Sequence, residues 1–292
     1  MKKLSLLFLL ISTFTWAQKS ALEPKINTIL KDKKATVGIS VLGIENGFTY
    51  HKNGEKKLPM QSVFKFHIAC AVLDFVDKGK LSLDQKILLK KSDLLENTWS
   101  PMRDKYPDGN VEITLNEIID YTVAMSDNNG CDILLRLIGG TKTVQKFMDS
   151  KGVTDFQIRF NEEEMHQDWN VQYENYSTTH SIVQVLKKFY DGKLLSKKST
   201  EYLMNIMLGT KTGTNKMVEQ LPKNTPVAHK TGASGKNKDG LTGAENDMGI
   251  VTLPNGKHFA IAVFVSNSSE TDAVNCKIVS DVTKVVWDYF NK

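Results

Sequence analysis

Ser62-Val63-Phe64-Lys65 places a hydroxyl and an amine three residues apart at the start of a helical pattern. Positions three apart share a helix face, so the Lys65 amine can reach the Ser62 hydroxyl. The free N–H groups of a first helical turn also favour developing negative charge. A base so placed turns a serine into a nucleophile. This spacing is common by chance, so the pair needs partners. Ser126-Asp127-Asn128 follows the helical pattern of Leu115 to Thr122 and precedes that of Cys131 to Ile138. A loop there can present a hydroxyl and an amide into a cleft, or simply cap the next helix. Lys230-Thr231-Gly232 ends a strand-like stretch and is followed by Ala233-Ser234-Gly235, small residues that let a ligand approach an edge strand. Lys211-Thr212-Gly213 repeats the tripeptide, but after the helical run Tyr202 to Leu208, where it reads as a helix C-terminus.

The elements that must position these runs follow from periodicity. Ala21 to Lys33 reads as a helix, followed by β-branched stretches at Thr36 to Leu42 and Phe48 to His51, with Glu45-Asn46-Gly47 as a hairpin turn. From Leu58 to about Met207 the apolar residues recur at helical spacing, for example Leu115, Ile118, Ile119 and Thr122. Strands return at Pro226 to His229, Met248 to Leu253 and His258 to Val265, and Thr271 to Phe290 closes with a striped helix. The pattern predicts an α/β chain of the α+β type: one antiparallel sheet built from both ends of the chain, beside terminal helices. Residues 18–57 and 218–292 form that split part, and 58–217 form an inserted all-α domain.

Composition narrows the function. The chain has 292 residues, 40% hydrophobic and 24% charged, which suits a folded core and excludes disorder. Met1-Lys2-Lys3, the apolar run Leu4 to Phe14 and a small residue at Ala17 read as a secretory signal, residues 1–17, and no membrane insertion of the mature chain is expected. Its removal leaves 292 − 17 = 275 residues and a net charge of +5 − 2 = +3. The basic residues are scattered among acids, which speaks against nucleic acid as a partner. Three cysteines allow at most one disulfide, and Cys70, in an apolar helical pattern, reads as a buried small hydrophobe. No P-loop, HExxH or GxSxG occurs, and the six histidines lack metal-ligand spacing, so neither cofactor nor metal is expected.

SxxK, SDN and KTG, in that order, are the signature set of serine β-lactamases and penicillin-binding proteins. With Thr114-Leu115-Asn116-Glu117 and Ile138-Gly139-Gly140, the chain resembles a class A β-lactamase over essentially its whole mature length. The resemblance implies a five-stranded β-lactamase/transpeptidase-like fold with the active site between the two domains, and a periplasmic monomer acting on a small-molecule β-lactam. It implies Ser62 as nucleophile, Lys65 or Glu162 (through a water) as its base, and Ser126 with Lys230 as the route for the proton to the leaving nitrogen. The Ser62 and Ala233 N–H groups would form the oxyanion hole. Glu162, in Asn161-Glu162-Glu163-Glu164-Met165-His166, would activate the deacylating water. Asn128 would hold the substrate's side-chain amide, and Thr231, Gly232 and Ser234 its carboxylate side. Lys216 is the candidate for the carboxylate-binding cation, since no Arg follows Arg159. Trp99 resembles the aromatic residue at the cleft mouth, and His166 stands where the family has Asn. Phe160, Asn175 and Gln61 resemble the PER-type extended-spectrum subgroup, which implies a leaning to cephalosporins and an altered 160–175 loop. A D-alanyl-D-alanine carboxypeptidase or a penicillin-binding sensor that acylates without turnover would share the same motifs, without a role for Glu162.

Overall fold

The computed structural model describes residues 21–292, and the export segment predicted at 1–17 lies outside the described residues. Helix α1 covers 21–30 and leads into β1 (Thr36–Gly43) and β2 (Thr49–Lys52). Next come β3 (Leu58–Pro59), α2 (Phe64–Asp77), β4 (Lys86–Leu89), α3 (Pro101–Lys105), β5 (Val111–Thr114) and α4 (Leu115–Ala124). Then follow α5 (Asn128–Ile138), α6 (Thr141–Ser150), β6 (Phe156–Gln157), α7 (Glu162–Gln167), β7 (Tyr176–Ser177), α8 (Thr179–Tyr190) and α9 (Lys197–Leu208). The chain returns through β8 (Val227–Ala233), β9 (Thr242–Thr252) and β10 (His258–Ser268) to α10 (Asp272–Phe290).

The five-stranded sheet runs β2-β1-β10-β9-β8, each neighbouring pair antiparallel. Its middle strand explains why both chain ends are needed. Phe259, Ile261, Val263 and Val265 of β10 join one core with α1 and with Ile278, Val282 and Val286 of α10. Ala260, Ala262 and Phe264, pointing the opposite way at the strand's period of two, join the other core with the helices. A strand buried on both faces reads as one apolar run, as this one does.

Three sequence expectations change in detail. The first helix ends at residue 30, before Lys33. The helical middle also carries short ladders, β4 with β5 and β3-β7-β6. Strand β8 runs on to Ala233, so Lys230 sits inside it and not at its end. All three cysteines are free and buried.

Helix α2 is buried from Phe64 to Leu73 without a break, which leaves Lys65 and His67 wholly enclosed. His67 stacks on Phe156 with ring centroids 4.6 Å apart, and neither ring nitrogen has a hydrogen-bond partner of good geometry. Burial pushes its pKa down to about 3, against a weaker opposing effect of the Val63 backbone. A histidine whose folded pKa is depressed is neutral in the fold and charged in the unfolded chain below about pH 6.5. Its stability contribution is therefore present above that value and lost as pH falls toward 3. At pH 5 the loss is about 2 kcal/mol. His67→Leu should accordingly show a smaller drop in Tm between pH 7.5 and pH 5 than the wild type, by roughly 4–8 °C. Equal drops in calorimetry would show that His67 does not carry the acid sensitivity.

Candidate active site

Ser62 lies in the 3-10 turn Gln61–Val63 that opens α2. The turn is held from outside its own segment. Gln61 has φ 47°, in the left-handed region that costs a non-glycine residue about 1–3 kcal/mol. Its side chain donates to Gln172 Oε1 at 2.8 Å. Buried Asn246 of β9 donates to the carbonyls of Pro59 and Met60 at 2.8 and 3.2 Å, pinning the segment that leads into Ser62. Strand β8 is the sheet's edge, and at Gly232 it comes so near that an added Cβ would lie 2.5 Å from the Met60 carbonyl and 3.1 Å from the Ser62 nitrogen. Only glycine permits that approach.

Lys65 has no exposed surface, and its ammonium is surrounded by acceptors. It donates to Ser62 Oγ and to the Ser126 carbonyl, both at 2.9 Å, and to Asn128 Oδ1, and pairs with Glu162 Oε1 at 2.8 Å. Four oxygens thus surround one side-chain nitrogen, so Lys65 connects Ser62 to both the 126–128 loop and the Glu162 loop. Ser62 Oγ stands 3.5 Å from Glu162 Oε1.

Ser126 also has a positive φ, 60°, and this turns it out of α4 toward β8. Its hydroxyl accepts from Lys230 Nζ at 2.9 Å. Burial and then the charge of Lys65 hold the Lys230 pKa well below the ordinary lysine value, with Asp247 opposing. Asp127 faces inward and caps α5, accepting from the Gly130 nitrogen at 2.8 Å and from Ser100 and Met102. Within the tripeptide Asp127 caps the helix, while Ser126 and Asn128 face Lys230 and Lys65.

Glu162 opens α7, where Asn161 caps the helix in a reciprocal pair with Glu164. The helix start is anchored by Asp132, one turn beyond Asn128 on α5, which accepts the N–H groups of Glu162 and Glu163 at 2.9 and 3.0 Å. Burial raises the Asp132 pKa to about 6, against the two N–H groups that favour its charge. At the loop neck, buried Asn175 accepts from the Arg159 and Phe160 nitrogens at 2.7 and 3.1 Å and donates to the Phe160 carbonyl at 2.8 Å. An amide bonded to backbone closes the neck here. Sequence reading singled out Asn175 but missed Asp132, Gln172 and Asn246, whose partners lie far along the chain.

The remaining expected residues divide. Asn128 donates to Thr98 Oγ1 at 2.7 Å while its oxygen faces Lys65. Trp99 is 60% exposed, with its indole bonded to the Met125 carbonyl at 2.9 Å, beside the 126–128 loop. His166 is exposed on α7 and borders the cleft. Two expectations are corrected. Ser234 does not offer a free hydroxyl: it accepts from the Gly243 and Ala244 nitrogens at 2.9 and 3.0 Å and donates to the Gly235 carbonyl at 2.7 Å, which ties the end of β8 to β9. Lys216 is not a free cation: it is 5% exposed and its ammonium is paired with Glu245. A cavity of about 390 Å³ runs along the cleft past Gln61, Asn128, Glu162, Ala233 and Lys236. A second, of about 210 Å³, opens beside Glu162 between residues 95–98 and α7.

Comparison with known proteins places this geometry. The family model described as "Beta-lactamase enzyme family" matches residues 21–290. Beta-lactamase VEB-1 of Pseudomonas aeruginosa is 48% identical over 289 residues, covering 98% of this chain and 95% of that protein. Extended-spectrum beta-lactamase PER-1 of the same species is 38% identical over 286 residues, covering 98% and 92%. The crystal structure of TLA-1 extended spectrum beta-lactamase superposes with a TM-score of 0.92 at 55% identity, over 94% of this chain and 99% of that one. With the serine, both lysines and the loop glutamate gathered at one cleft, the chain belongs to the beta-lactamase enzyme family, as a class A serine enzyme.

Proposed function

We propose that this class A enzyme hydrolyses β-lactams by the following division of labour, and that bulky cephalosporins are among its better substrates. Ser62 attacks the lactam carbonyl, and its proton goes to Lys65 in its neutral amine form, or through a water to the Glu162 carboxylate. The Ser62 and Ala233 N–H groups receive the oxyanion. Each such donor is typically worth about 2.7–4 kcal/mol in the transition state. Ser126 gives its proton to the leaving nitrogen and is recharged from the Lys65 side, while the Lys230 charge favours the hydroxyl that donates. Glu162 then draws a proton from the water that opens the ester. Asn128 holds the side-chain amide, and Thr231, backed by Lys230, receives the carboxylate. Trp99 and His166 border the mouth. The observation that carries this reading is Lys65, whose one side-chain nitrogen lies 2.9 Å from Ser62 Oγ and 2.8 Å from Glu162 Oε1.

The substrate leaning is supported by the space beside Glu162, about 210 Å³ adjoining the main cleft, where an enlarged acylamino group would lie. It is also supported by the relatives PER-1 and TLA-1, which are described as extended-spectrum. The domain division at residues 58 and 218, with the cleft between, belongs to the same reading, as do export to the periplasm and action as a monomer. No helix among the described residues is long and apolar enough to cross a membrane. The test is steady-state turnover of a chromogenic cephalosporin, an oxyimino cephalosporin and benzylpenicillin by the purified mature chain. Sustained multiple turnover is expected, with kcat/KM for at least one cephalosporin above that for benzylpenicillin. Stoichiometric acylation without turnover would favour the sensor or carboxypeptidase, and slower hydrolysis of every cephalosporin would remove the leaning alone.

A further inference from the structure

The second Lys-Thr-Gly tripeptide, set aside on sequence grounds, lies against the first. Its segment reaches both sides of the cleft. The Lys211 nitrogen donates to the Ala124 carbonyl at 2.8 Å, two residues before Ser126. Thr210 Oγ1 donates to the His229 carbonyl at 2.7 Å, one residue before Lys230. Thr212 Oγ1 and Thr231 Oγ1 lie 2.7 Å apart. Gly213 has φ +72°, and a Cβ there would lie 2.4 Å from Thr231 Cγ2, so glycine is required twice over for the segment to lie so close.

We infer that residues 210–213 are a positioning strap, in which Thr212 orients the Thr231 hydroxyl toward the substrate carboxylate. This rests on the reading that Thr231 receives that carboxylate. A hydroxyl has one proton and can both donate and accept. An anionic substrate can only accept, so Thr231 must donate to it, and its oxygen is then free to accept from Thr212. The Thr212 proton fills that place and polarises the bond to the substrate. The two other strap bonds act on the backbone on either side of the Ser126–Lys230 contact. The strap thus serves carboxylate recognition through one side chain and the proton route through its frame.

The test compares a cephalosporin with its own methyl ester, which lacks the anion. Thr212→Val keeps the shape of the side chain and removes the donor. It should lower the acid-to-ester ratio of kcat/KM about tenfold, mainly through KM for the acid, while Thr212→Ser restores the ratio to within twofold. Thr212→Ala should move it in the same direction as Val. Thr231→Val, measured alongside, tests the underlying reading. If Thr231→Val is selective against the acid while Thr212→Val affects acid and ester equally, or neither, the strap inference is overturned and the carboxylate reading stands. If Thr231→Val shows no selectivity, the carboxylate reading itself fails.

Discussion

Glu162→Ala should convert the enzyme from a catalyst into a reagent: a burst of product equal to the enzyme present, then a steady rate lower by about 10³-fold. General-base assistance typically contributes 10²–10⁴-fold. The two half-reactions draw on Glu162 differently. Acylation retains Lys65 against the Ser62 hydroxyl at 2.9 Å whether or not the carboxylate is present. For hydrolysis of the ester, Asp132, the other buried carboxylate beside Glu162 among the described residues, is occupied by the two N–H groups at the start of α7 and cannot stand in to take the water's proton. The acyl-enzyme should therefore accumulate on Ser62, visible in intact-mass spectra as the added mass of the opened antibiotic. Undiminished steady turnover would assign the deacylating base elsewhere, and loss of the burst would make Glu162 the base of acylation.

Lys230→Met should separate activity from stability. Removing the charge beside Ser126 is expected to lower kcat/KM by about 10²–10³-fold, the scale of losing one preorganised electrostatic group. Its pKa is held below the ordinary lysine value, so the folded chain gives up this proton more readily than the unfolded one. Between the folded and unfolded values the unfolded chain binds more protons, and stability rises with pH across that window. Below the unfolded value the buried amine therefore costs stability, and an unbranched apolar side chain of similar length should leave Tm at or above that of the wild type. The same shift places the alkaline limb of wild-type kcat/KM below pH 10.5 and removes the Lys230 contribution to it in the variant. A clear fall in Tm with unchanged kcat/KM would reverse both assignments.

These results turn on residues with unequal visibility in the sequence. The Ser62, Lys65, Ser126 and Lys230 runs are legible because helix spacing and the loop before α5 act over a few residues. Their mutual approach is not: Ser126 and Lys230 are 104 positions apart and meet at 2.9 Å only through the sheet and its packing. Polar groups buried far from their partners fare worst. Asn246 occupies a place in β9 where alternation calls for an apolar side chain, and its reason is two carbonyls near residue 60. Lys216 and Ser234 read from the sequence as carboxylate-side candidates, but the amides of residues 243–244 reach Ser234 only when β8 and β9 pair, and Glu245 meets Lys216 only when the segment before β8 packs on β9. The strand reads too short in the sequence because Thr231-Gly232-Ala233 offers little apolar alternation, although β9 continues to pair with it there.

The closeness of β8 to the Ser62 turn has a consequence for how a distant change would be felt. The turn rests on one face of the sheet, against Gly232 of β8 and against Asn246, its cross-strand partner on β9. Side chains paired across two strands share one face. The seat of Ser62 is thus a level surface made by two strands at once, and its height is set by the smallest side chain the code offers. Any larger residue at 232 would tilt Ser62 out of line without touching its own side chain.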